Sequence, residues 1–148
     1  MPGATPTNNY IGSFHFRVKV DGINDPLDGF IKVSSITSTT ENVEFKHGMD
    51  RAVRKNPGRT TFEDVTLERV YSGLDEFSQW RQRIVDGEID RRTVSIEYLK
   101  PDGATVVRRY ELYNSYPSKW ELPEMDAGGS NAAMERITLS VERVVQLQ

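Results

Sequence analysis

The run FHFRVKV at 14–20 alternates strictly, with Phe14, Phe16, Val18 and Val20 on one face and His15, Arg17 and Lys19 on the other. A period of two predicts a half-buried strand. The same alternation closes the chain: AAMERITLSVERVV (132–145) sets Ile137, Leu139, Val141 and Val145 on one side and Arg136, Thr138, Ser140 and Glu142 on the other. RRTVSIEYL (91–99) and ATVVRRYELY (104–113) flank Pro101-Asp102-Gly103, which predicts a hairpin with the glycine in the left-handed region. Only SGLDEFSQWRQRIVDG (72–87) changes period. Ser72 is its expected N-cap, Asp75 completes a capping-box-like arrangement, and Gly87 falls at the C′ position. Leu74, Phe77, Trp80, Ile84 and Val85 form one stripe, so one face of this helix lies against a sheet.

Elsewhere the pattern is poorer. VSSITSTTENVEFK (33–46) is β-branched and free of Pro and Gly, yet Val33, Ile36, Val43 and Phe45 are its only apolar residues. It is expected to be one long strand with a bulge near Ser34-Ser35, where the parity slips. HGMDRAVRKNPGR (47–59) reads as a loop and TTFEDVTLERV (60–70) as a strand. NSYPSKWELPEMDAGGSN (114–131) reads as a long excursion containing Trp120. Residues 1–11 are small, polar and Pro-containing and are expected to be a flexible arm on a single domain, 12–148. The expected class is mainly β, a sandwich or barrel with one flanking helix.

Composition narrows the function classes. Hydrophobic residues are 36 % of the chain and charged residues 28 %, a lean apolar content that suits either a partly flexible chain or a fold supported by neighbouring subunits. The net charge, 19 − 22 = −3, is too small for a general nucleic-acid binder or a polybasic membrane anchor. No cysteine is present, which excludes disulfides, thiolate metal sites and cysteine nucleophiles. MPGATPTNNYIG has neither the basic start nor the apolar run of a signal peptide, and no stretch approaches the roughly 20 apolar residues that span a bilayer. Cytoplasmic synthesis without membrane insertion is therefore expected.

Chemistry-bearing patterns are scarce. His15 sits on the polar side of a strand and His47 begins a loop, so neither suggests a metal or catalytic site, and no metal or cofactor is expected. No serine stands in a nucleophile-elbow setting. DRAVRKNPGR (50–59) carries Arg51, Arg54, Lys55 and Arg59 but no interleaved aromatic, which favours a solvated or protein-contact loop over a nucleic-acid site. The expectation is a non-enzymatic protein.

The order of these motifs is itself informative. FHFRVKVDGI leads to GFIKVSSI, then EFKHG and RKNPG, the helix LDEFSQWRQRIVDGEIDRR, the hairpin SIEYLKPDGATVVRRYEL, and NSYPSKWELPEMDAGGSNAAMERITLSVERV. From about Phe14 to Val145 this series resembles the inner-tube proteins of contractile injection systems, relatives of contractile-phage tail tube proteins. Two positions depart from the family pattern, Ser35 where Gly is frequent and Leu122 within the usual W-E-G-P run.

The resemblance implies a structural subunit whose strands join those of its neighbours into a large barrel. Hexameric rings would stack into a tube, with sheath and baseplate proteins as partners. The cargo would be protein, or DNA in a phage tail, and the subunit would end in a released particle or a virion. Under it, Ser35, Thr37, Thr39 and Glu41 become lumen-facing candidates, with Arg136, Thr138, Ser140 and Glu142 as a second row. Candidates for subunit or ring contacts are His47, Asp50, Arg51, Arg54, Lys55, Tyr116 and Trp120. A phage tail tube and a monomeric β-sandwich binding module, with its ligand on a Tyr116–Trp120 loop, stay open as alternatives.

Overall fold

A computed structural model describes residues 15–23, 30–46, 48–49, 51–71, 73, 75–123, 127–129 and 133–147. The 1–11 arm, His47, Asp50, the Ser72 cap and Leu74 of the helix stripe lie outside the described residues. The elements run β1 (Phe16–Val20), β2 (Phe30–Val33), β3 (Ser38–Phe45), β4 (Arg54–Phe62), β5 (Val65–Val70), α1 (Glu76–Val85), β6 (Arg92–Leu99), β7 (Val106–Glu121), β8 (Met134–Ser140) and β9 (Arg143–Gln146). Among the described residues the chain is mainly β with a single helix, as its alternation predicts.

Seven strands form one antiparallel sheet in the order β1-β6-β7-β8-β5-β2, with β9 also paired to β7; β3 and β4 form a separate two-stranded ribbon. The large sheet does not close on itself within the chain. Its hinge is β7. The first half of this 16-residue strand pairs with β6 and β9, and the second half, from Tyr116 to Glu121, pairs with β8. Between the halves Asn114 takes φ 53°, a left-handed conformation that Asn tolerates better than most residues. The strand therefore belongs to two four-stranded layers, β1-β6-β7-β9 and β2-β5-β8-β7.

The core lies between these layers. Val18 and Val20, Val94 and Ile96, Leu112, Val65 and Leu67, and Ile137 and Leu139 meet Phe77 and Trp80 of α1. Full burial of each large side chain stabilises the fold by roughly 1.5–3 kcal/mol. The Trp80 indole N–H also donates to the Asp90 carbonyl at 2.8 Å, so the polar edge of the ring is satisfied. Gly87 ends the helix with φ 87°, as expected of a C′ glycine. The helix begins later than its sequence suggests, with Asp75 at the N-cap making no side-chain capping bond. Its stripe is also narrower, since Val85 is 59 % exposed.

Several strand boundaries also differ from the sequence expectation. Residues 33–46 are two strands, because the chain leaves β5 after Ser34, whose N–H donates to the Thr66 carbonyl, and re-pairs with β4 from Ser38. Residues 60–70 are also two strands, parted at Glu63–Asp64, which accounts for Phe62 being out of phase with Val65. The expected 47–59 loop is strand from Arg54 onward. Gly58 permits this pairing: a Cβ there would stand 2.9 Å from Val43 Cγ2 and 3.2 Å from the Glu41 carbonyl, beside the register shift between Thr40 and Asn42. The final strand divides at Val141–Glu142, where β8 gives way to β9.

A buried carboxylate gives the fold a pH dependence. Glu97 is 2 % exposed, with Arg17 Nε at 3.2 Å and Lys19 Nζ at 3.3 Å. Burial alone would raise its pKa, but the hydrogen bonds from Arg17 and Lys19 outweigh it and hold the carboxyl below its ordinary 4.5. A depressed folded value stabilises the protein above the ordinary carboxylate range, and that contribution is lost as pH falls through it. We expect the melting temperature to drop more steeply between about pH 5 and about pH 3 in the natural protein than in Glu97→Gln. Equal slopes would assign the acid sensitivity elsewhere, for example to Asp90, whose bonds to Arg92 depress its pKa likewise.

Candidate assembly surfaces

The outer face of β2-β5-β8-β7 is built from the residues that alternate with the core. Val33, Leu67, Ile137 and Trp120 turn inward against the core. Lys32, Glu68, Arg136 and Glu121 stand directly opposite one another as successive cross-strand partners on the other face. Arg136 Nε lies 3.4 Å from Glu68 Oε2, and Lys119 Nζ lies 3.3 Å from Glu121 Oε1. The neighbouring row is hydroxylic. Thr66 and Thr138 join through their Oγ1 atoms at 3.2 Å, and the Ser34 hydroxyl accepts from the Thr66 N–H at 2.8 Å.

This layer ends in two open edges. Among the described residues β2 pairs only with β5, and the 116–121 half of β7 pairs only with β8. Unpaired edges offer rows of backbone donors and acceptors to another chain. Four antiparallel strands per copy place β2 and the end of β7 in opposite directions. One copy can then follow another around a closed ring with antiparallel pairing kept throughout.

The ribbon is the second surface. Every residue of β3, and every residue of β4 except Phe62, is exposed, so neither face of the ribbon is covered within the chain. Val43, Phe45, Met49 and Val53 are large apolar residues in or beside it and all are exposed, Met49 at 96 %. At its base an apolar groove of about 590 Å³ is lined by Ile36, Phe62, Tyr98, Tyr110 and Val144, together with Ser38 and Gln146. Tyr98 and Tyr110 meet edge to face at 5.9 Å, and burial raises the Tyr98 pKa.

A buried polar cluster ties the helix to the sheet. Arg69 Nε donates to Glu135 Oε1 at 2.6 Å, Arg69 Nη2 lies 3.3 Å from Glu76 Oε2, and the guanidinium sits 4.4 Å from the Phe77 ring centre. The other Glu135 oxygen accepts from the Trp120 indole at 3.1 Å.

The candidate residues from sequence divide among these surfaces. Arg136, Thr138 and Ser140 share the outer face of β8, with Tyr116 opposite Ser140 and the Arg91 guanidinium 5.8 Å from its ring centre. Glu142 has left that face for the turn after β8, where it pairs with Arg91 at 3.1 Å. Ser35 and Thr37 lie in the connection from β2 to β3, and Thr39 and Glu41 lie on the ribbon, so the two expected rows are not neighbours. The ribbon has no buried side, and its parity therefore distinguishes no lumen face. Arg51, Arg54 and Lys55 are exposed at the ribbon end.

Trp120 is not a loop residue. It lies in β7, half-buried against the core, and the loop expected to carry a ligand at Tyr116–Trp120 is strand. Sequence reasoning overlooked Lys32, Glu68 and Glu121. Their polar positions within alternating strands were readable, but the strand pairing that aligns them was not.

Catalytic or metal chemistry finds little here. Among the described residues no group of three or more His, Cys, Asp or Glu could hold a metal ion. No helix among them is long and apolar enough to cross a membrane.

The model of the family described as T4-like virus tail tube protein gp19 matches residues 12–145. No curated protein sequence matches the chain. Among solved structures, the chain is similar to one from the PVC sheath-tube complex of an extracellular contractile injection system in the extended state. There the TM-score is 0.83 at 22 % identity, covering 95 % of this chain and 93 % of that one. Similarity to a chain of the anti-feeding prophage tube-terminating cap reaches a TM-score of 0.82 at 21 % identity, over 94 % and 91 % of the two chains. Hcp1 from Flavobacterium johnsoniae follows at 0.63 and 17 %, over 90 % and 94 %. At these identities the likeness is one of fold.

Proposed function

Because the chain belongs to the family of T4-like virus tail tube protein gp19, we propose that it is the inner-tube subunit of a contractile injection system. The observation that carries this reading is the open four-stranded layer with a polar outer face, β2-β5-β8-β7. Six copies join edge to edge, β2 of one against the end of β7 of the next, and the polar face lines a water-filled lumen. Closure removes both open edges of this layer at once. Rings then stack through the β3–β4 ribbon, whose exposed apolar residues and Arg51, Arg54 and Lys55 meet the adjoining ring. This contact is head to tail and does not close, so it propagates a filament.

The role is structural rather than catalytic. Sheath and baseplate proteins are its partners, in keeping with the sheath-tube and baseplate assemblies of its structural neighbours. The cargo is protein, carried within a particle assembled in the cytoplasm and then released.

Electron microscopy of the purified protein across a concentration series, with light scattering on the same samples, tests this reading. Six-fold rings or hollow filaments are the expected result. A monomer at every concentration, even with a preformed baseplate present to initiate assembly, would overturn it.

A further inference from the structure

We infer that the outer face of β2-β5-β8-β7 is a charge-compensated wall that lets polypeptides of either net charge slide past without being held. The inference rests on the lumen reading above. It starts from the register: Lys32, Glu68, Arg136 and Glu121 are consecutive cross-strand partners and alternate in sign across all four strands. Adjacent strands lie about 4.8 Å apart, which sets residues of opposite charge side by side along the row, and Arg136 Nε lies 3.4 Å from Glu68 Oε2. Their fields cancel within roughly one water layer above the sheet. That is well inside the screening length of about 8 Å at physiological salt. Lys119, at 3.3 Å from Glu121, is a further charge beside the row, leaving three cations against two carboxylates among these five residues.

In the neighbouring row Thr66 and Thr138 are uncharged and their hydroxyls bond each other rather than standing open to a passing chain, while Lys119, opposite Thr138, ends the row with a cation held by Glu121. A wall of one sign would bind cargo segments of the other, because a polypeptide carries both. An alternating wall presents charge, and so keeps its water, while its net field stays small, here one surplus cation per copy. The contrast with nucleic acid is direct: a uniformly negative polymer would be retained by a basic wall, and the compensation here spares the cargo that contact.

Retention of fluorescent ten-residue poly-glutamate and poly-lysine peptides by assembled tubes tests the inference, at about 20 mM and about 500 mM salt. The natural protein is expected to retain little of the poly-glutamate. Glu68→Gln with Glu121→Gln leaves three cations uncompensated and should raise poly-glutamate retention about tenfold at low salt, with the gain lost at high salt. Lys32→Gln with Arg136→Gln leaves two carboxylates against Lys119 alone and should raise poly-lysine retention by a smaller factor, with the gain likewise lost at high salt. A control with the same charge change at the far end of the helix, Asp86→Asn with Glu88→Gln, should do neither.

Equal retention by the natural, wall and control proteins would overturn the proposal. So would tubes of the natural protein that hold poly-glutamate or single-stranded DNA strongly. Failure of the tube reading shows separately, as absence of tubes in the micrographs. The same titrations on the monomer then still read the face: a gain in the wall variants and none in the control upholds the compensation, and no difference rejects it.

Discussion

Replacing residues 39–61 with Asn-Gly is expected to abolish tube formation while leaving the melting temperature of the subunit within about 2 °C of its natural value. Ser38 and Phe62 face each other as cross-strand partners, so a two-residue turn joins them without altering the sheet beneath. None of the described residues removed belongs to the buried core, since β3 and the removed part of β4 are exposed along their length. Phe62 and Ile36, which pack against the core, remain. An isolated two-stranded ribbon is marginal in water, so order here makes physical sense when a second copy covers it. Val43 at 51 % and Val53 at 52 % exposure would otherwise stand as an apolar liability. A fall of about 10 °C or more would make the ribbon part of the fold itself. Tubes that form without it would show that stacking uses another surface.

Arg69→Met should cost about 3–5 kcal/mol of unfolding free energy, the largest loss expected from any single change outside the apolar core. Arg69 is 2 % exposed and Glu135 1 %, and the substitution leaves a buried carboxylate with the Trp120 indole but without its guanidinium. It also releases Glu76, in the first turn of α1, so the helix loses its tie to β5 and β8. Adding Glu135→Gln removes the stranded charge and keeps an acceptor for Trp120, and the double variant should recover about 2 kcal/mol relative to the sum of the singles. Urea unfolding of the ribbon-deleted subunit separates this effect from assembly. A loss below about 1 kcal/mol for Arg69→Met, or strict additivity in the double, would show that the cluster is a surface pair in energetic terms. Trp120, first considered as an interface anchor, belongs to this cluster and contributes to the fold.

The elements that could be read from the sequence are those with a core beneath them. Val18 and Val20, Val94 and Ile96, and Ile137 and Leu139 alternate because one side of each strand is dry. The helix was legible for the same reason through Phe77 and Trp80, and Gly87 marked its end. The ribbon was not, because residues exposed on both sides are under no pressure to alternate. Pro117 concealed the second half of β7. It punctuates a sequence like a turn, yet here it sits at the register shift before Lys119, where a missing N–H is tolerated. The outward-facing residues of β8 could be found from parity alone. Their partners Lys32, Glu68 and Glu121 required the pairing of strands far apart in the chain, which periodicity does not carry. The family was legible because the order of motifs spans nearly the whole chain, whereas no single motif would have identified it.

The bend at Asn114 has a mechanical consequence. Since β7 is a member of both layers, a force that drives them apart cannot unzip a ladder one bond at a time from a free end. It must stretch a covalent strand whose hydrogen bonds to β6, β9 and β8 are loaded together. A subunit built this way resists being torn open as a strap riveted to two plates does. A tube wall built from such subunits, as proposed, would under axial load tend to break between its subunits before it broke within one.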